Sequence, residues 1–194
     1  MRVSEILILA RVRLAEFDLP TIADYYFEVG QRLANVEGCH GISVWRDPDN
    51  SESFLVIYEY ADDDAAARGL TAIAEVRVKS ESKLVEFNPA DVIRVRTHRQ
   101  TDKRVSESHR SSYLSMSVRI ADPGYGPELL EEIGRIFDEL HLIPGCLGSV
   151  YGPNAALEEE VVGIVTWDSE DAFISSLPPG SKYVRQIEFY SRFF

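Results

Sequence analysis

Hydrophobic positions along this chain follow two different spacings. Residues 6–14 are mostly apolar, whereas from residue 20 to about residue 36 apolar side chains recur every three or four positions. A short apolar run is typical of a strand, and the longer spacing is typical of an amphipathic helix. The predicted elements, in order, are a strand at 6–14, a helix at 20–36, strands at 42–45 and 54–60, a helix opened by the acidic residues 62–64, and a strand at 92–97. This β-α-β-β-α-β order predicts a ferredoxin-like unit, a four-stranded antiparallel sheet with two helices on one face.

The same pattern returns in the second half of the chain at a constant offset. The run Gly38-Cys39-His40-Gly41 reappears as Gly145-Cys146-Leu147-Gly148, and the apolar stripe of the first helix falls on an apolar stripe at residues 129–143. We therefore predict an α+β protein made of two tandem units, residues 1–97 and 113–194, joined by a polar linker at 98–112. In the second unit Pro178 limits the second helix to about residues 169–177, so the two units are expected to differ there.

Composition limits the classes of partner. The chain of 194 residues has 20 basic and 32 acidic residues, a formal charge of −12. A negative charge of this size opposes attraction to nucleic acid and to anionic membranes, so we expect neither as a partner. The apolar run near the N-terminus is too short to span a bilayer, and we expect a cytoplasmic protein. The two cysteines occupy equivalent positions in the repeats, which favours buried core residues over a disulfide or a metal site.

Several motifs together resemble those of the antibiotic biosynthesis monooxygenase superfamily. They are residues 37–41 and 45–49 with 58–66 in the first unit, and residues 143–148 with 165–173 in the second. The resemblance implies that two such units pack sheet against sheet into a barrel. Because one chain supplies both units here, it implies a pseudo-dimeric barrel within the chain, with further homodimerisation left open.

The resemblance also bears on chemistry. Some members of this superfamily oxidise quinols or anthrones without metal or flavin, and others degrade haem. The histidine common in the family would fall on Gly69 and Ser176, so no matching haem ligand is present. We expect no cofactor and no metal. The sequence leaves two functions open: a small-molecule-binding protein that acts as a cofactor-independent monooxygenase on aromatic polyketide or quinol-type substrates, or a non-catalytic binding, regulatory or assembly protein of the same fold.

Five residues are candidates for a ligand pocket, and no catalytic residue is assigned. Tyr60 and Trp167 end equivalent strands, where an aromatic ring either lines a pocket or fills the core. Tyr25 is expected to face a cleft beside the first helix. Arg94 and Arg96 lie on one face of the last strand of the first unit, as anion ligands or as surface residues. The longer second helix, the rings and the two arginines favour the N-terminal unit as the site for a small aromatic ligand.

Overall fold

The computed structural model describes residues 5–13, 19–79, 92–99, 104–105, 113–177 and 187–193. The first unit contains strands β1 (Ile6–Arg13), β2 (Cys39–Arg46), β3 (Ser53–Tyr60) and β4 (Val92–Arg96), with helices α1 (Leu19–Leu33) and α2 (Asp63–Lys79). A short strand, β5 (His98–Arg99), follows. The second unit contains β6 (Tyr113–Ile120), β7 (Cys146–Asn154), β8 (Leu157–Trp167) and β9 (Ile187–Arg192), with helices α3 (Gly126–Leu140) and α4 (Glu170–Ser176). None of the described helices has both the length and the apolar character needed to cross a lipid bilayer.

The two sheets join edge to edge into one closed antiparallel barrel. Each unit has its strands in the ferredoxin-like order, β4-β1-β3-β2 in the first and β9-β6-β8-β7 in the second. Strand β2 pairs with β9, and β4 pairs with β7, so both open edges of each sheet are covered by the other unit. The predicted α+β fold of two tandem ferredoxin-like units is therefore confirmed, and the barrel forms within one chain.

The repeated Gly-Cys-X-Gly turn has the same role in both units. Gly38 and Gly145 follow the first helix of each unit with φ angles of 80° and 83°, a left-handed conformation that favours glycine. A Cβ atom at Gly38 would lie 2.8 Å from the Cβ of Ala65, and one at Gly145 would lie 2.4 Å from the Cβ of Ala172. The turn thus lets the chain pass close to the start of the second helix. This close approach explains why the glycine and the alanine are repeated together.

The barrel interior is a packed core. Its walls carry apolar side chains from both units, including Leu7, Ile57, Leu114 and Ile164, all at most 1% exposed. The segment predicted as a simple polar linker also contributes. Its one apolar residue, Val105, is 6% exposed inside this core, and its backbone N–H donates to the Oε1 atom of Glu59 at 3.1 Å. A further linker piece, β5, pairs with β7. The described parts of the linker are therefore built into the barrel.

The helices of each unit cover the outer face of its own sheet. In the first unit this layer is filled by buried residues of β1, β2, β3 and both helices, including the rings of Tyr26, Phe54, Tyr58 and Tyr60. Helix α2 adds Ala72 and Val76, which are buried, and Ile73, which is half-buried. Helix α4 ends at Ser176, as Pro178 predicts, and so provides no counterpart to these three residues. The corresponding layer of the second unit is packed differently, and the candidate site lies there.

Candidate functional site

The second unit contains a cavity of about 320 Å³ between its sheet and its helices. Strands β6, β8 and β9 form one wall, and helices α3 and α4 form the other. Most lining side chains are apolar or aromatic, including Phe137, Val165, Trp167 and Phe173. The polar side chains are Ser115, Ser117, Arg119, Glu132 and Ser176. A mostly apolar cavity of this size with a few polar groups is typical of a small-molecule site.

Comparison of the two units explains why the cavity exists. The offset that carries Gly38 onto Gly145 also relates the strands, since β1 pairs with β3 in the same register as β6 with β8. At this offset the apolar residues that fill the first unit are replaced by smaller or more polar ones. Ile8, Ala10 and Val12 become Ser115, Ser117 and Arg119, while Val56 and Tyr58 become Gly163 and Val165. Side-chain volume is lost at Ser115 and Val165, and this loss contributes space to the cavity. Ser117 and Arg119 are not smaller than the residues they replace, and Phe137 occupies the space beside Gly163.

Trp167 and Ser115 form a buried polar pair at one end of the cavity. The indole N–H of Trp167 donates to the Oγ atom of Ser115 at 2.9 Å. A serine hydroxyl that accepts one hydrogen bond can still donate its own proton, so Ser115 can donate to an oxygen in the cavity. The Trp167 ring packs edge-on against Phe173, with ring centroids 5.6 Å apart. This end of the cavity therefore combines flat apolar surfaces with one oriented hydroxyl.

The floor of the cavity carries a row of polar side chains. Ser115, Ser117 and Arg119 alternate along β6, so they point to the same face of the sheet. Gly163 lies next to this row on β8, where a Cβ atom would be 2.6 Å from Cζ of Phe137 and 3.1 Å from Oγ of Ser117. Glycine is thus needed for Phe137 to approach the sheet. The sequence analysis missed this row, although its signal was present in the polar residues that stand opposite Ile8, Ala10 and Val12 in the repeat.

The five residues predicted from the sequence do not form one site. Trp167 lines the cavity. Tyr60 is fully buried in the first unit, and its hydroxyl has no hydrogen-bond partner among the described residues. Tyr25 is half-buried and packs edge-on against Tyr26, with ring centroids 5.1 Å apart. Arg94 and Arg96 both form ion pairs with Asp63 at the start of α2, where their side chains are 40% and 60% exposed. Of the two roles considered for these arginines, their exposure fits surface residues, and a role as anion ligands stays a prediction.

The repeated cysteines lie beside these layers as free thiols. Cys39 packs against the core of the first unit and Cys146 against that of the second, but each is only half-buried. Burial raises the pKa of both thiols, so at neutral pH they are protonated and poor nucleophiles. Neither arrangement indicates a catalytic cysteine.

The donor set of the cavity does not fit haem iron or another metal. Its described lining residues include no His, Cys, Tyr or Met, the residues that usually bind haem iron. Ser176, at the position of the family histidine, donates its hydroxyl to the backbone oxygen of Phe173 at 2.6 Å. In the part of the chain that the structure describes, no three His, Cys, Asp or Glu residues are grouped as metal ligands. We therefore derive no step through a metal or haem group.

The fold is that of a dimeric α+β barrel in which one chain supplies both units. Comparison with known proteins supports this class of fold. Residues 6–72 match the sequence model of the antibiotic biosynthesis monooxygenase family. The resemblance read from the sequence is thus confirmed for this segment of the first unit. No functionally curated protein matches it significantly.

Three solved structures are similar over nearly the whole chain. A proposed monooxygenase from Fusobacterium nucleatum has a TM-score of 0.74 and 13% identity, covering 99% of this chain and 93% of that one. A proposed monooxygenase from Lactobacillus acidophilus has a TM-score of 0.68 and 14% identity, covering 98% and 95%. An anthrone oxidase-like protein has a TM-score of 0.66 and 15% identity, covering 99% and 93%. At these identities the similarity shows a shared fold, including the tandem arrangement.

Proposed function

We propose that this protein binds one small aromatic molecule in the cavity of its C-terminal unit. The observation that carries the proposal is the cavity of about 320 Å³ at Ser115 and Val165, where the first unit has the larger, core-filling Ile8 and Tyr58. Leaving a cavity in a core costs stability, about 1 kcal/mol or more for each missing methyl-sized volume. A cavity that costs stability and is lined by oriented polar groups is better explained as a ligand site than as a packing defect.

The lining indicates the kind of ligand. Trp167, Phe173 and Phe137 offer ring surfaces against which a flat aromatic molecule can stack. Ser115 and Ser117 offer hydroxyls to a keto or hydroxyl oxygen on the ligand. The cavity volume lies at the lower end of the range of about 300–1,000 Å³ for ligand sites, which favours molecules of two or three fused rings. Hydroxylated anthrones, quinols and flavonoids have this combination of properties.

The reaction that we propose for a bound anthrone is oxygenation without a cofactor. The family match and the fold shared with an anthrone oxidase-like protein support it. The ring carbon of an anthrone loses a proton, and the resulting enolate passes electrons to O2. One oxygen atom becomes the new ring carbonyl, and the other leaves as water with the two hydrogens of that carbon. The protein's contribution is to exclude water, hold the rings and stabilise the ligand oxyanion through hydrogen bonds.

Binding and oxygenation are tested separately. Calorimetry with a panel of hydroxylated anthrones, quinols and flavonoids is expected to show one bound molecule per chain for at least one compound. An oxygen electrode then measures whether the bound compound consumes one O2 for each quinone formed. Binding without oxygen uptake selects the non-catalytic alternative. A well-folded sample that binds no compound of the panel overturns the proposal.

A cavity-filling variant locates the site. Val165→Tyr introduces the ring that the first unit has at Tyr58, and it should lower ligand affinity at least about tenfold by occupying the cavity. Ile174→Tyr is the matched control, because it adds a ring on the 55% exposed outer side of α4. Equal affinity for the wild-type protein and the Val165→Tyr variant would place the ligand elsewhere, including the N-terminal unit that the sequence favoured.

A further inference from the structure

Ser149 of β7 has a buried hydroxyl group without a hydrogen bond. The residue is 3% exposed, and its Oγ atom has no hydrogen-bond partner among the described residues. Most buried polar atoms in proteins have a partner, and a buried polar atom without one lowers the stability of the fold. The hydroxyl of Ser149 is therefore a group that a bound molecule can satisfy.

Ser149 lies directly beside the wall of the cavity. Its paired residue on β8 is Val165, which lines the cavity. Side chains alternate along a strand, and the next residue of β7, Val150, faces the barrel interior. Ser149 therefore faces the layer between sheet and helices, on the same side as Val165. Paired residues have Cβ atoms about 4.5–5.5 Å apart, so Ser149 stands one strand beyond the lining of the cavity.

The row of residues across the sheet at this level is polar in the second unit only. Val165 has Ser115 beside it on β6 and Ser149 beside it on β7. At the same offset, the two flanking positions of the first unit are apolar, Ile8 and Ile42. Hydroxyl groups in a layer that is otherwise apolar cost free energy unless a partner bonds to them. The two serines are thus better explained by a ligand than by packing.

The two hydroxyls stand on opposite sides of Val165. Ser115 accepts a hydrogen bond from Trp167, and its own proton has no acceptor in the part of the chain that the structure describes. Two strand spacings separate the backbones of Ser115 and Ser149, about 9.5 Å. A flat molecule of two or three fused rings that lies across Val165 can place one oxygen atom near each hydroxyl.

We infer that Ser149 is a further ligand-binding residue, and that the ligand has oxygen atoms at both ends of its fused rings, one bonded to Ser115 and the other to Ser149. This inference rests on the proposed ligand site and adds a binding residue and the substitution pattern of the ligand. The second oxygen reaches past the side chain of Val165 and supplies the hydrogen-bond partner that Ser149 lacks.

The test compares two probes that differ by one oxygen atom. 2-Naphthol and 2,6-dihydroxynaphthalene are titrated into the protein, and binding is measured by calorimetry. The second compound has hydroxyls at opposite ends of the two rings. The wild-type protein is expected to bind it about threefold to tenfold more tightly than 2-naphthol, the usual contribution of one neutral hydrogen bond.

Two serine variants assign the preference to one residue. Ser149→Ala should bind 2-naphthol as the wild type does and should lose the preference for the diol. Its melting temperature without ligand should be at least that of the wild type, because no other group loses a partner. Ser43→Ala is the matched control, since Ser43 is also a buried strand serine but accepts from Nε1 of Trp45 at 2.9 Å. This control should melt at a lower temperature and keep the preference.

The outcomes separate this inference from the proposed function. A serine that serves packing or holds a buried water would leave the preference for the diol intact in Ser149→Ala, and that result overturns the inference. Equal binding of both probes by the wild-type protein overturns it too, as does binding of a compound of the aromatic panel when neither naphthol binds. In these three cases the ligand site stays in place. If neither probe and no compound of the panel binds, both are overturned.

Discussion

A single added methyl group at Gly152 should open one seam of the barrel. A Cβ atom built at this position would lie 1.9 Å from the backbone oxygen of Arg96 and 3.1 Å from Cγ1 of Val95. Both neighbours belong to β4, the strand that β7 pairs with to close the barrel. The oxygen is part of the backbone, so no side-chain rotation can relieve the contact. The Gly152→Ala variant must therefore push β4 away from β7.

The expected cost follows from two contributions. Overpacking by one methyl group typically costs about 1–3 kcal/mol. Separation of the strands also weakens the backbone hydrogen bond from Ala155 N to Arg94 O, now 2.7 Å long, which contributes about 1 kcal/mol. We expect a decrease of about 2–4 kcal/mol in the free energy of unfolding. For a protein of ordinary stability this is a large fraction of about 5–15 kcal/mol.

Urea unfolding followed by circular dichroism measures this decrease, and amide exchange at Ala155 reports the seam itself. Gly30→Ala in α1 is the matched control, because its nearest contact would be an ordinary 3.4 Å from Ile42. Alanine is the better helix former, so the control should be stabilised by about 0.5–1 kcal/mol. Unchanged stability of Gly152→Ala, with the Ala155 amide still protected, would refute the closed seam.

Three further predictions concern the thiols, the buried tyrosines and the linker. Cys39 and Cys146 should react slowly with a thiol reagent at pH 7.5 in the native protein and rapidly in urea, because burial raises their pKa; rapid native labelling of either would contradict their placement. Burial also raises the pKa of Tyr58, so its contribution to stability is complete below about pH 10, its usual pKa, and is lost as the pH rises toward the higher folded value. Tyr58→Phe should therefore flatten the loss of melting temperature above pH 10, and an identical loss in both proteins would refute this. Cleavage at a protease site introduced between Arg99 and Arg104 should leave both halves in one particle on a sizing column, because two strand pairings join the units; folded halves that separate would contradict the shared barrel.

An ion pair between the two units supports the same view of the assembly. Arg11 of β1 donates two hydrogen bonds to Glu188 of β9, at 3.2 Å from Nε and 2.5 Å from Nη2. Tyr190, buried in the barrel interior, donates its hydroxyl to the same carboxylate at 2.6 Å. The contact between Arg11 and Glu188 joins the two units in addition to the strand pairings. The units are therefore expected to unfold together rather than as independent domains.

The repeated pattern of the sequence was sufficient to predict the fold. One constant offset, the one between Gly38 and Gly145, relates the bounds of β1 and α1 to those of β6 and α3, and the repeated glycine turn stands where each first helix is followed by the next strand. This worked because strand alternation, helix spacing and glycine turns are local properties, written in neighbouring residues. The early stop of α4 was equally local, since Pro178 cannot continue a helix.

The position of the cavity was decided only by tertiary structure. Sequence reasoning favoured the N-terminal unit because it has more rings and a longer second helix, but there the described rings and the additional helical residues fill the layer that they cover. Tyr60 and Trp167 occupy equivalent positions, and whether each ring lines a pocket depends on the side chains of neighbouring strands. These strands are distant from the ring in the sequence. Side-chain packing is a sum of volumes contributed by distant segments, so a residue's type does not reveal whether the space around it is full. The sequence thus determined which faces of the strands meet the helices, and the folded chain determined that one of those faces is left open at Ser115 and Val165.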